Sequence, residues 1–204
     1  MMQTQIKRDL KEIYNKYANQ RDKDKMQEWK AKPRQVFLEL IKSEGKKTLL
    51  EIGAGHGRDS LFFKNNGIEV TAIDLSDEMV KLCRTKGIEA YEMDFYNLSQ
   101  LNKKFDAVWA MNSLLHVEKA NLELVLKEIN LILESSGLFF MGVWGGEDKE
   151  GIWEEDIYVP RRFYAFYTDE SLIKVLKKHF KIISFEQIDT GEKHYFQSII
   201  MKKK

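Results

Sequence analysis

Apolar residues recur at helical spacing near the start of the chain, at Ile6, Leu10, Ile13, Tyr14 and Tyr17 and again at Val36, Phe37, Leu40 and Ile41. That pattern predicts two helices joined by a charged link over 20–25. From Thr48 the texture changes to short apolar runs that alternate with helical stretches closed by glycine, the punctuation of βα units. Strands are expected at 48–52, 69–73, 89–93, 105–111 and 138–143. Helices are expected near 58–66, 77–86 and 118–133, with Ser76 as the N-cap of the second and Gly67, Gly87 and Gly137 as stops. The strand ends fall at Gly53, Asp74, Asp94 and Asn112, about 20 residues apart, which suits one βα unit each.

After Trp144 the pattern breaks into an aromatic, charged stretch to Tyr167, followed by a helix over 169–179 with Thr168 as N-cap. The chain closes in two β-rich runs, 181–188 and 195–201, joined by the turn-like 189–194. A parallel crossover needs roughly a dozen residues or more, so this pair must be antiparallel. The expected architecture is an α/β, Rossmann-like doubly wound sheet of five parallel strands plus a C-terminal antiparallel hairpin, with helices on both faces. Residues 1–44 read as an N-terminal helical lid and 45–204 as one compact domain, with a substrate loop at about 144–168.

Composition narrows the class. At 204 residues, 43% hydrophobic and 32% charged, the chain has an ordinary globular make-up with room for one core. Its formal net charge of +1 gives no global bias toward a polyanion, so nucleic acid is an unexpected partner. A single cysteine, Cys83, can form neither an intrachain disulfide nor a thiolate zinc site, and the four histidines are widely separated. No metal is expected, nor a signal peptide or membrane span, and the expected location is cytoplasmic.

The polar residues gather at the carboxyl ends of the strands, where ligands bind in an open parallel sheet. Strand one runs into Glu51-Ile52-Gly53-Ala54-Gly55-His56-Gly57, an E-x-G-x-G-x-G run; the third glycine of a dinucleotide fingerprint would fall at position 58, which is Arg58. Asp74, closing strand two, is placed to accept both ribose hydroxyls. Asp94 and Phe95, closing strand three, offer an acceptor for an exocyclic amine and a ring beside a base. Together these positions describe an adenosine site without a pyrophosphate cradle.

Through Leu49–Arg58 (L-L-E-I-G-A-G-H-G-R), Ala72–Ser76 (A-I-D-L-S), Met93–Phe95 (M-D-F), Phe105–Ala110 (F-D-A-V-W-A) and the terminal hairpin, the sequence resembles the class I S-adenosylmethionine-dependent methyltransferases over about residues 45–204. The run G-R-D-S followed by L-F-F looks like a small bacterial branch that includes tellurite-resistance-type enzymes. Arg161–Tyr167 resembles a segment of tRNA wobble-uridine methyltransferases. The resemblance implies S-adenosyl-L-methionine as cofactor, held by Gly53 and Gly55 at its methionine moiety, Asp74 with Leu75 at the ribose, and Asp94 with Phe95 at the adenine. Glu51 is expected beside the cofactor. Arg58 would pair with the cofactor carboxylate or a substrate anion, or stand as a solvated helix residue.

Tyr14 and Tyr17 are candidates to close a lid over the cofactor, against packing as the alternative. His116 lies after strand four, a position near the transferred methyl in the resembled family, and is a candidate general base or a structural histidine; Asn112 is ambiguous in the same way. Trp144, Arg161, Arg162 and Tyr164 are candidate substrate contacts, an aromatic wall and an anion clamp. The reading is an S-adenosylmethionine-dependent methyltransferase acting on a small-molecule substrate, as a monomer or homodimer. A tRNA-modifying methyltransferase, a non-catalytic cofactor-binding protein and a nicotinamide dehydrogenase are the alternatives.

Overall fold

A computed structural model describes residues 2–204. The helices are α1 (Met2–Lys23), α2 (Ala31–Ser43), α3 (Arg58–Asn65), α4 (Asp77–Thr85), α5 (Lys119–Ile132) and α6 (Asp169–His179). The strands are β1 (Thr48–Ile52), β2 (Glu69–Asp74), β3 (Glu89–Glu92), β4 (Phe105–Met111), β5 (Leu133–Trp144), β6 (Lys149–Ile152), β7 (Phe163–Phe166), β8 (Phe180–Ile188) and β9 (Phe196–Lys203). Seven strands form one sheet in the order β3-β2-β1-β4-β5-β9-β8. β1 to β5 are mutually parallel, while β9 runs antiparallel to both β5 and β8. This is the expected doubly wound α/β sheet with a terminal hairpin.

Strand periodicity explains the two-sided core. In β4, Val108 and Ala110 face one helical layer while Ala107 and Trp109 face the other. The first layer brings α5 (Leu122, Val125, Leu126, Ile129) and α6 (Leu172, Leu176) onto the sheet, together with Ile6 and Leu10 of α1. The second brings Phe37, Leu38 and Ile41 of α2 and Phe63 of α3 against Trp109 and Phe140, whose rings stack with centroids 3.9 Å apart. With both faces covered, the central strands are almost continuously apolar, as buried parallel strands must be. The expected caps are in place: the hydroxyls of Ser76 and Thr168 accept from the amides of Met79 and Ser171.

Three expectations need correction. The charged link foreseen over 20–25 is helical through Lys23, because Asp22 in the last turn is paired with Lys86 at 2.6 Å and with His56 at 2.9 Å. Next, Gly137 does not close α5, which ends at Ile132 and passes directly into β5; Ser136 is the left-handed residue there, at φ 59°. Gly137 is required by crowding instead, since a Cβ would lie 2.9 Å from the carbonyl oxygen of Glu134. Finally, the stretch expected as a loop contains an antiparallel hairpin, β6 with β7, pairing Lys149 with Phe166 and Ile152 with Phe163. β6 reads Lys-Glu-Gly-Ile, with no alternation of apolar residues to announce a strand.

Candidate active site

Strand order reverses between β1 and β4, and at the carboxyl ends of these strands lies a cleft of about 1240 Å³, open mouth included. Glu51, Gly53, Gly55, Arg58, Asp74, Leu75, Asp94 and Phe95 line it, as do Tyr14, Asn112, Ser113 and His116. α1 crosses it, contributing Gln3, Ile6, Lys7, Leu10, Tyr14 and Arg21 from one helical face.

The turn after β1 turns left-handed at Gly53 (φ 68°) and Gly55 (φ 56°). A Cβ on Gly53 would lie 2.5 Å from the Cβ of Ser113, so only glycine lets β1 and the β4 loop approach this closely, whereas one on Gly55 would meet nothing within 4 Å. Asp74 is buried at that turn. One of its oxygens accepts from the amide of Gly55 at 2.8 Å and the other from the amide of Ser76 at 2.9 Å. Burial raises its carboxyl, opposed by those same backbone bonds. Glu51 is pushed well above the carboxylate range by burial and then by the neighbouring Asp59; it accepts the hydroxyl of Ser60. At the far end Asp94 accepts Lys7 Nζ at 2.6 Å and the amide of Tyr96 at 2.9 Å, and Lys7 also lies 4.2 Å from the Tyr96 ring centroid.

On the β4 side, a buried polar chain joins three parts of the fold. The Asp156 carboxylate holds Arg162 by a fork, Oδ2 to Nε at 2.9 Å and Oδ1 to Nη2 at 2.8 Å. Arg162 Nη1 donates to the Tyr14 hydroxyl at 3.1 Å, and that oxygen lies 2.8 Å from His116 Nε2. His116 Nδ1 is 2.7 Å from the carbonyl oxygen of Phe163. A carbonyl only accepts, so Nδ1 carries the proton and Nε2 takes the hydrogen bond of Tyr14. Burial, and then the positive charge of Arg162, lower His116 to about 3, so the ring is neutral near pH 7. Its basic nitrogen therefore serves Tyr14.

Beside it, Asn112 takes a left-handed conformation at φ 56°, and its Oδ1 and Ser113 Oγ are buried without a hydrogen-bond partner. Both atoms are free to accept or exchange a hydrogen bond with a molecule in the cleft.

The other candidates lie elsewhere. Tyr17 stacks edge-on against Tyr158 at 4.8 Å and is absent from the cleft lining. Trp144 packs between Trp29 and Phe196. Arg161 is exposed, and Tyr164 is buried against Phe166 and His116. Arg162 is committed to Asp156 and Tyr14, a brace in place of the expected anion clamp. Sequence reasoning missed Lys7, Arg21 and Lys30 of the lining and Asp156 behind it. The signal for the first two was present: Lys7, Tyr14 and Arg21 repeat every seven residues, which keeps them on one side of α1.

Residues 49–137 match a family model described as a methyltransferase domain. A human protein called probable tRNA methyltransferase 9B is 27% identical over 115 residues, 55% of this chain and 25% of that protein. The ubiquinone biosynthesis O-methyltransferase of Xanthomonas oryzae pv. oryzae is 30% identical over 100 residues, 46% of this chain and 41% of that enzyme. The match thus spans less than half the length of either curated relative. Among solved structures, the Burkholderia thailandensis 1,6-didemethyltoxoflavin-N1-methyltransferase, with bound 1,6-didemethyltoxoflavin and S-adenosylhomocysteine, shares the fold with a TM-score of 0.73. It is 21% identical, over 92% of this chain and 83% of its own.

Proposed function

We propose that this chain is a class I S-adenosylmethionine-dependent methyltransferase that transfers a methyl group from S-adenosylmethionine to a small-molecule acceptor, a reading supported by the methyltransferase family model and the shared fold. The observation that carries this reading is the convergence of the glycine turn, Asp74, Asp94 with Phe95, and the unpartnered Asn112 and Ser113 on one cleft at the strand-order reversal.

The residues fit the cofactor. The open space at Gly55 admits the methionine moiety against bare backbone, Asp74 accepts ribose hydroxyls, and Asp94 accepts the adenine amine beside the Phe95 ring. Bound there, the cofactor supplies a methyl on a sulfonium, a good leaving group. The protein's task is then to hold the acceptor at near-attack distance and exclude water. Asn112 Oδ1 and Ser113 Oγ are acceptors for an N–H or O–H of that molecule. Tyr14, held by Arg162 and His116, fixes the opposite wall. Since His116 spends its basic nitrogen on Tyr14, we assign it a positioning role and not that of a general base.

We further propose α1 as the lid over this cleft. Among the described residues no helix is long and apolar enough to cross a membrane.

The test is thermal denaturation with S-adenosylhomocysteine or NAD. A ligand at 100 times its dissociation constant stabilises by about 2.7 kcal/mol, which for a domain of this size raises Tm by roughly 5–11 °C. S-adenosylhomocysteine should give that rise and NAD none. Stabilisation by NAD alone would overturn the reading.

A further inference from the structure

Among the described residues, three cations line the cleft without forming an ion pair. Arg21 donates from Nη1 to the Tyr158 hydroxyl at 2.8 Å and sits 5.3 Å from the Tyr14 ring centroid. Arg58 donates to the carbonyl oxygen of Asp24, and Lys30 Nζ lies 5.2 Å from the Trp29 ring centroid. All three side chains border the same cavity. Other cations nearby are matched: Lys7 with Asp94, Arg34 with Asp59, Lys86 with Asp22, and Arg162 with Asp156.

The acids of the cleft are spoken for as well. Asp94 serves Lys7, Asp59 serves Arg34 and the Trp109 indole, Glu118 accepts from Asn121, and Asp74 and Glu51 take backbone amides and the Ser60 hydroxyl. Among the described residues, none of these acids forms an ion pair with Arg21, Lys30 or Arg58. A partly buried cluster of like charges is costly until an anion enters it. At Lys30 burial lowers the ammonium to about 8; Asp59 opposes the shift, while the like charges of Arg21 and Arg58 add to it.

From this arrangement we infer that the methyl acceptor is an anion, a small carboxylate-bearing molecule seated by Arg21, Lys30 and Arg58 with its reactive group toward Tyr14 and Asn112. The inference rests on the methyltransferase reading and adds the substrate's charge to it. The number of cations separates the acceptor from the cofactor as the source of the anion. S-adenosylmethionine brings a single carboxylate with an ammonium beside it, so it leaves part of a three-cation cluster without a paired anion. Arg21 ties the cluster to the Tyr14 side of the cleft, through the Tyr158 hydroxyl and the Tyr14 ring.

The experiment uses the full chain saturated with S-adenosylhomocysteine and titrates it calorimetrically with 4-hydroxybenzoate, salicylate and indole-3-acetate, each against its neutral methyl ester. At least one acid should bind ten-fold or more tightly than its ester, and Lys30→Ala and Arg21→Gln should each remove at least ten-fold of that affinity. Both variants are checked for an unchanged circular dichroism spectrum; Lys30 is partly exposed and unbonded, so its variant keeps the test open if the arginine variant unfolds. A second arm compares S-adenosylhomocysteine with methylthioadenosine, which lacks the amino-acid carboxylate. If Lys30→Ala weakens the former and not the latter, the cluster belongs to the cofactor and the proposal falls. It falls equally if no acid is preferred over its ester while S-adenosylhomocysteine binds. Failure of S-adenosylhomocysteine itself to bind would strike the methyltransferase reading instead.

Discussion

At the scale of single residues, the cleft separates groups that touch a ligand from groups that hold others in place. Asp74 is our proposed example of the first kind: it is buried and braced by the amides of Gly55 and Ser76, and we assign its remaining lone pairs to ribose hydroxyls. Asp74→Ala should weaken S-adenosylhomocysteine binding by about 1–3 kcal/mol, the cost of leaving buried donors without an acceptor; calorimetry reads it, and unchanged affinity would move the ribose contact elsewhere. His116 belongs to the second kind, and its titration tests that. Its folded pKa of about 3 lies below the ordinary value of 6.5, so the unfolded chain binds a proton first as pH falls. The stability it contributes is complete above about pH 6.5 and is lost between there and about pH 3. Nuclear magnetic resonance of the imidazole should show a neutral ring, protonated at Nδ1, at pH 5. A ring titrating near 6.5 would return His116 to the list of general bases. The sequence showed that a polar histidine follows β4, but not that Tyr14, about a hundred positions earlier, would occupy its basic nitrogen; that pairing depends on where α1 crosses the sheet.

Among elements, the legible parts of the chain were those in which local pattern and global fold agree. β1, β2 and β4, buried on both faces, and the helices capped by Ser76 and Thr168 were all readable, because parallel strands must be apolar throughout and caps are local chemistry. The hairpin of β6 and β7 was not readable. Its strands owe their pairing to what surrounds them: Arg162 leads into β7, is buried against Asp156, and reaches Tyr14 on α1. That same dependence reassigns Arg162 from an anion clamp to a brace, while Trp144, expected in the substrate wall, is consumed by packing on Trp29 and Phe196. Removing one partner of a buried ion pair leaves the other uncompensated, at a cost of about 3–5 kcal/mol. Asp156→Asn should therefore lower Tm by roughly 6–20 °C, converted at 2–4 °C per kcal/mol for a domain of this size. Arg162→Lys keeps the charge but not the fork, so it should recover only part of the loss. A shift within 2 °C in both variants would show that the hairpin stands without the brace.

For the whole molecule, the question is how a ligand enters a cleft that α1 crosses. α1 buries Ile6, Leu10, Ile13 and Ala18, yet it is tied to the rim mainly by polar contacts. These are Lys7 to Asp94, Lys11 to Glu92, Asn15 to Asp77 and Ser76, and Asp22 to Lys86. Exposed and half-exposed ion pairs of this kind are worth about 0–1 kcal/mol each and weaken with salt. The central strands are held by apolar burial, which salt does not screen. The lid role we propose for α1 requires it to lie at the low end of the molecule's local stabilities. Hydrogen exchange should find the α1 amides exchanging well before those of β1 and β4, faster still in 1 M NaCl, and slowed ten-fold or more by saturating S-adenosylhomocysteine. The slowing follows because a ligand lined by Lys7, Leu10 and Tyr14 binds the closed form and draws the equilibrium toward it. Exchange in α1 that matches the central strands and ignores both salt and ligand would make the helix a fixed part of the core, and entry to the cleft would have to run past the β6–β7 hairpin instead.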